Sequence, residues 1–172
     1  MANKIRTLLI NSDPFPVKAD CFFTEKPELP CRWITSAKAD PASPSVTNLR
    51  LAFRTDHEEK IPVHVAADQQ YLLWLDGTLV GRGCEMKSPE NWFFESYELI
   101  LDPGEHRLEV LVWNYGNLSP DNRMSLASGF ILIPDARYTA LLGTGVAKWK
   151  AKINPGITFQ PVRKDLGIYI SV

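Results

Sequence analysis

Apolar and polar positions alternate with a period of two along most of this chain. Residues 60–67 put Ile61, Val63, Val65 and Ala67 on one face. Tyr71, Leu73 and Leu75 do the same, as do Leu108, Val110 and Val112, and Leu49, Leu51 and Phe53. That period belongs to strands with one buried face. The pattern predicts strands over 31–35, 48–54, 60–67, 71–76, 78–82, 92–100, 105–113, 126–133, 146–153 and 166–171, with no helix and no internal repeat. Turn chemistry separates them: Asp76-Gly77 is a two-residue hairpin signal, and Pro103-Gly104 closes a second turn. Short strands at this spacing read as an all-β antiparallel sandwich or barrel.

Strand parity assigns the loops to two ends. If each strand runs antiparallel to the next, loops 68–70, 83–91 and 115–124 share one rim. Segment 37–47 (AKADPASPSVT) joins them if strand 48–54 also pairs antiparallel. The opposite rim holds the tight turns. Ligand sites on such folds sit on the long-loop rim.

The second faces of two strands are unusual. Leu72 and Trp74 oppose the core face of 71–75, and Leu111 and Trp113 oppose that of 105–113. A free-standing antiparallel sheet carries polar residues there. Together the four make an outer apolar patch, which either the chain's own segment 11–30 covers or another domain does. Residues 1–30, with Pro14, Pro16, Pro27 and Pro30, read as a segment wrapping the outside of a sandwich over 31–172.

Composition removes whole classes of function. Nineteen Lys and Arg against twenty Asp and Glu leave a net charge of −1, which argues against nucleic acid or an acidic membrane surface as a partner. The longest apolar runs fall far short of a membrane span. The start of the chain lacks the long apolar region and cleavage site of a signal peptide, which leaves a cytoplasmic location, slightly favoured, or a piece of a longer protein. Three cysteines, Cys21, Cys31 and Cys84, include no Cys-x-x-Cys pair. Free thiols are the simpler reading and a Cys21–Cys31 disulfide the alternative.

Several motifs together resemble a known pattern. Tyr71, Leu73, Leu75, Asp76, Gly77, Val80, Gly81 and Gly83 match the Y-x-L-x-(V/L)-(N/D)-G-x-x-V-G-x-G signature of galactose-binding-like jelly-roll domains. Such domains stand near the N-terminus of bacterial α-L-rhamnosidases. Arg32-Trp33-Ile34-Thr35, Arg50 with Phe53, Trp92 to Leu99, Gly104 to Gly116, Phe130 to Ile133 and Val146 to Lys150 extend the resemblance in order over residues 31–153. Asp76 stands where Asn is commoner and His106 where Asn is usual. The resemblance implies a jelly-roll sandwich acting as an accessory domain of a sugar-cleaving enzyme, with the catalytic carboxylates in a separate helical barrel. It implies the catalytic domain of the same parent chain as partner, reached through the patch Leu72, Trp74, Leu111 and Trp113.

The residues themselves offer no catalytic centre. Glycoside hydrolysis needs two carboxylates across a cleft, and no pair here is singled out by its setting. Asp56-His57-Glu58-Glu59 reads as a solvated turn. His57, His64 and Asp68 lack the spacing of a metal site. Gly81-x-Gly83 and Gly143-x-Gly145 open no helix, so neither is a phosphate cradle. No cofactor is expected. Asp121 and Asn122 are oxygen donors of the kind Ca²⁺ takes, but a solvated loop explains them as well.

Sugar binding asks for less: an aromatic face against a pyranose and a few polar groups for its hydroxyls. The long-loop rim supplies Trp92 for stacking, with Arg82, Asn91, Asn117 and Arg123 for hydroxyls. Trp33 and Trp149 are expected in the core. Three functions follow: an accessory domain packed on a catalytic domain, with or without contact to glycan, an independent carbohydrate-binding module, or a structural module without ligand.

Overall fold

The computed structural model describes residues 5–15, 29–83, 93–119, 125 and 127–160. Two antiparallel sheets face each other. The strands are β1 (Ile5–Thr7), β2 (Ser45–Thr55), β3 (Glu59–Ala67), β4 (Gln70–Leu75), β5 (Thr78–Gly83), β6 (Glu95–Leu101), β7 (Gly104–Asn114), β8 (Phe130–Pro134) and β9 (Lys150–Ile153). One sheet has the order β1-β6-β3-β8 and the other β5-β4-β7-β2-β9. From β2 to β9 the chain changes sheet at every step except the β4–β5 hairpin, which gives the jelly-roll winding.

The alternating apolar positions form the core. Leu49, Leu51, Ile61, Val63, Val65, Tyr71, Leu73, Leu75, Leu99, Leu108, Val110 and Leu132 are each at most 2% exposed. Most face inward from strands whose alternate residues are more exposed, while β8 is buried along its whole length, so one face of each sheet removes its apolar area from water.

The β4–β5 hairpin turns at Asp76 (φ 49°) and Gly77 (φ 80°), as a two-residue loop of this type requires. Register slips between Leu73 and Trp74, leaving Val80 as the extra residue of a bulge. Val80 and Gly81 therefore both lie toward the interior on this edge strand. The two residues that depart from the resembled signature, Asp76 and His106, meet here. His106 places Nδ1 2.7 Å from Asp76 Oδ2 and Nε2 2.7 Å from the Asp102 carbonyl. Arg107 N donates to the other Asp76 oxygen at 2.7 Å. One buried imidazole thus ties the two tight turns of this rim together.

Several expectations need correction. Segment 31–35 makes only an isolated bridge, Ile34 to Phe130. The strand expected at 126–133 shrinks to Phe130–Pro134, and the one at 146–153 to Lys150–Ile153. Between them the chain forms a 3-10 turn at Ala136–Tyr138 and a four-residue helix, α1 (Thr139–Leu142). An element of one turn is too short to show a 3.6-residue period. Asp135 accepts from Arg137 N and starts the turn. Trp33, expected in the core, is 40% exposed. Trp149 is half-buried, 6.1 Å from the Phe130 ring, and donates from Nε1 to the Leu142 carbonyl at 2.8 Å. Cys31 is a buried free thiol. The strand expected at 166–171 lies outside the described residues.

The N-terminal segment also differs. Its described part adds β1 to the edge of the four-stranded sheet. Phe15 then lies across that sheet's outer face, 5.3 Å from the His64 ring and 5.5 Å from Phe94. Residues 5–15 therefore cover the sheet opposite the apolar patch, and residues 16–28 lie outside the described residues.

This cover makes His64 a pH-sensitive position. Burial pushes its pKa down, while Asp13 pulls it the other way. An unfolded histidine titrates near 6.5. As pH falls through that range the unfolded chain takes up the proton before the folded one, so stability present above it is lost below it. We expect the urea midpoint to fall between about pH 7 and about pH 5.5, and His64→Leu to flatten that fall. An equal decline in both proteins would remove His64 as its source.

Candidate functional site

The strand parity holds for the described loops. β2 pairs antiparallel with β7, Ser45 opposite Asn114, so segment 37–44 and the loop after β7 share a rim with residues 68–69. These loops are knitted together. Asn114 Nδ2 is shared among the carbonyls of Asp40, Pro41 and Ser43 at 3.0–3.3 Å. Gly116, at φ 49°, lies so close to Ala42 that a Cβ would sit 2.5 Å from its carbonyl. Asn117 N donates to that carbonyl at 2.9 Å. The Gln69 side chain accepts from Tyr115 N and donates to Ser119 Oγ. Asp68 accepts from Ser125 Oγ and Ala127 N. His64 bonds to Ser96 Oγ on the outer face of the other sheet, and His57 is an exposed turn residue. The three do not converge.

Of the rim residues expected to meet a sugar, Trp92, Asn91 and Arg123 lie outside the described residues, as do Asp121 and Asn122. Asn117 is exposed in the rim loop. Arg82 is exposed too, but it sits on edge strand β5 opposite Leu72. Its position is on the sheet's outer face rather than in the rim loops.

That outer face is the more informative surface. Leu72, Trp74, Leu111 and Trp113 all lie on it and all are half-buried. Register pairing arranges its side chains in rows. One row runs Trp74, Glu109, Arg50, Lys150, from β4 across β7 and β2 to β9. The next runs Arg82, Leu72, Leu111, Asn48, Lys152. The face is apolar toward β4 and cationic toward β9. A groove of about 560 Å³ follows these rows, lined among others by Trp74, Leu111, Arg50 and Lys150. A second hollow of about 490 Å³, between Asp76 and Arg107, adjoins it at Arg50.

The pattern of residues 48–54 already puts Asn48, Arg50, Ala52 and Arg54 on the polar face. It carries no sign that Lys150 and Lys152, a hundred residues later, stand beside them. Pairing of β2 with β9 does that.

No family model matches this chain, and no curated protein matches it. Solved structures do. A GH78 family rhamnosidase of Bacillus sp. GL1 superposes with a TM-score of 0.62 at 24% identity, over 72% of this chain and 13% of that one. A lectin from Pleurotus ostreatus in complex with GalNAc gives 0.52 at 18% identity, over 70% and 34%. The same lectin in its apo form gives 0.53 at 20%, over 83% and 40%. This chain spans well under half the length of each. At these identities the likeness is one of fold: an all-β, antiparallel, galactose-binding-like jelly-roll sandwich.

Proposed function

We propose that this chain is a non-catalytic accessory β-sandwich domain of an α-L-rhamnosidase-like glycoside hydrolase, which packs on the catalytic domain and contacts glycan. The observation that carries the reading is the outer face of the five-stranded sheet. Leu72, Trp74, Leu111 and Trp113 stay half-buried there, while the described part of the N-terminal segment covers the other sheet. A row of large apolar side chains on an outer face marks an interface. In this reading the catalytic domain packs on the part of the patch nearest the long-loop rim, Leu72 and Trp113, and leaves the groove at Trp74 and Arg50 open as one wall of a cleft. The fold likeness to part of a rhamnosidase supports the parent class. The likeness to a lectin crystallised with GalNAc supports glycan contact. In the same reading the rim contributes Trp92 for stacking and Asn91, Asn117 and Arg123 for hydroxyls, while Arg82 reaches glycan from the outer face beside Leu72.

Two measurements test it. Purified 1–172 is expected to hydrolyse no aryl rhamnoside, because the two carboxylates at the smaller hollow, Asp76 and Glu105, are held by His106 and Arg107 N and by Arg54, whereas hydrolysis needs one acid and one base or nucleophile facing the substrate. Turnover that disappears on changing one carboxylate of this chain would overturn the non-catalytic assignment. An NMR titration with neutral rhamnose and galactose oligosaccharides is expected to give weak binding, about millimolar to tens of micromolar, with shifts at the rim near Asn117. Shifts confined to the turns at Asp76 and Pro103 would refute the rim, and no shifts with any sugar would refute glycan contact.

A further inference from the structure

We infer that the groove on the outer face of the five-stranded sheet is a binding site for an acidic saccharide, a uronate-bearing oligosaccharide whose sugar ring lies on Trp74 and whose carboxylate meets Arg50 and the β9 lysines. The inference rests on the reading of the chain as a glycan-contacting domain and adds a second site, distinct from the rim, with a defined ligand class.

The arrangement follows from register. Trp74, Glu109, Arg50 and Lys150 are successive neighbours on four adjacent strands. Strands lie about 4.8 Å apart, so Arg50 stands roughly 10 Å from Trp74 along the row and Lys150 roughly 14 Å. An indole at one end and cations at the other suit a chain of sugars rather than a single ring. Trp74 is half-buried, so part of the indole already packs against the protein and the side chain loses little further freedom on binding. Leu111, in the next row, continues the apolar floor.

The charges give the groove its sign. Glu109 is held by Arg107 Nε at 3.1 Å, which counters its charge from outside the row and leaves its oxygens to accept sugar hydroxyls. Among the described residues Arg50, Lys150 and Lys152 have no carboxylate within salt-bridge distance. Three exposed cations on one wall of a groove, in a chain of net charge −1, are a local excess that the overall composition hides. Like charges on adjacent strands repel, so an anion between them relieves that repulsion as well as meeting the planar fork of Arg50. Asn154 Nδ2 donates to Asn48 Oδ1 at 3.2 Å, which leaves the Asn48 amide nitrogen at the groove edge as a donor. A volume of about 560 Å³ lies within the range of small-ligand sites.

The test uses the full chain and two probes of one size, trigalacturonate and its neutral methyl ester, titrated by calorimetry at low salt. Trigalacturonate is expected to bind at least about tenfold more tightly than the ester, and added salt to erase most of that preference. Arg50→Gln and the double change Lys150→Gln with Lys152→Gln are expected to remove the preference while leaving the thermal midpoint unchanged, because all three side chains are exposed. Trp74→Ala is expected to weaken both probes. Equal affinity for acid and ester, or a preference untouched by Arg50→Gln, overturns the groove. A chain that binds neutral sugars at the rim and ignores trigalacturonate overturns the groove and leaves the glycan-contacting reading intact. A chain that binds no sugar, acidic or neutral, overturns both.

Discussion

Replacing Leu73 by alanine is expected to lower the unfolding free energy by about 2–5 kcal/mol. Leu73 is 0% exposed. It sits on β4, between β5 and β7, opposite Val110 on one side and Gly81 on the other. Its side chain is enclosed between the sheets, where neighbours relax only partly into a void, so the cavity adds to the lost transfer energy. Leu72, the next residue, points the other way and is half-buried. Leu72→Ala is expected to cost clearly less. Denaturant midpoints of the two variants check the assignment of faces: equal losses, or a larger one at Leu72, would reverse it.

The second large effect is expected at Gly81. A Cβ there would lie 2.1 Å from the Tyr97 hydroxyl oxygen and 2.4 Å from its ring carbon Cζ. Tyr97 is 4% exposed and has no free path to move. Its hydroxyl is 3.1 Å from that of Tyr71, which donates to Glu95 Oε2 at 2.8 Å. Burial, reinforced by Glu95, holds the Tyr71 hydroxyl protonated far above its usual range, so that bond persists across the working pH. Gly83 repeats the device, since its Cβ would strike the Glu95 carboxylate at 2.3 Å. The two glycines of the G-x-G signature thus make room for the two residues that bond Tyr71. Gly81→Ala forces Tyr97 aside and is expected to cost about 1–3 kcal/mol by overpacking, plus about 1 kcal/mol if the Tyr71–Tyr97 bond breaks. Combining it with Tyr97→Leu, which removes the obstructing atoms, is expected to give a double variant less destabilised than the sum, with a coupling of about 0.5–3 kcal/mol. Strict additivity would show that the clash is not the cause.

The acidic-saccharide groove shows where sequence reading stops. Trp74 and Leu111 stand out in the sequence because they break the expected polar face of their strands. Arg50 does not, because an arginine on the solvent side of an alternating strand is ordinary. Lys150 and Lys152 fall in a stretch expected to be a longer strand, with nothing to name its neighbour. Arg82 is read with the rim because it ends its strand, yet pairing with Leu72 puts it on the outer face. In each case the residue type is visible and its company is not.

The sequence by itself determines the strands from β2 to β7, their inward faces and their two tight turns. Each of these follows from interactions over a few residues: period-two alternation sets which side chains are buried, and Asp76-Gly77 and Pro103-Gly104 set where the chain reverses. Antiparallel succession is equally local, so the sharing of one rim by the long loops is also legible. Only the tertiary structure decides what lies beside what. The β2–β9 pairing closes a loop of about a hundred residues, α1 is held by packing rather than by a periodic face, and Phe15 covers one sheet rather than the other. His106 answers Asp76 across thirty residues of chain. Such contacts depend on which surfaces meet once the core has formed. No short-range pattern encodes that choice, because the same exposed arginine, lysine or tryptophan satisfies the local alternation whichever neighbour it acquires.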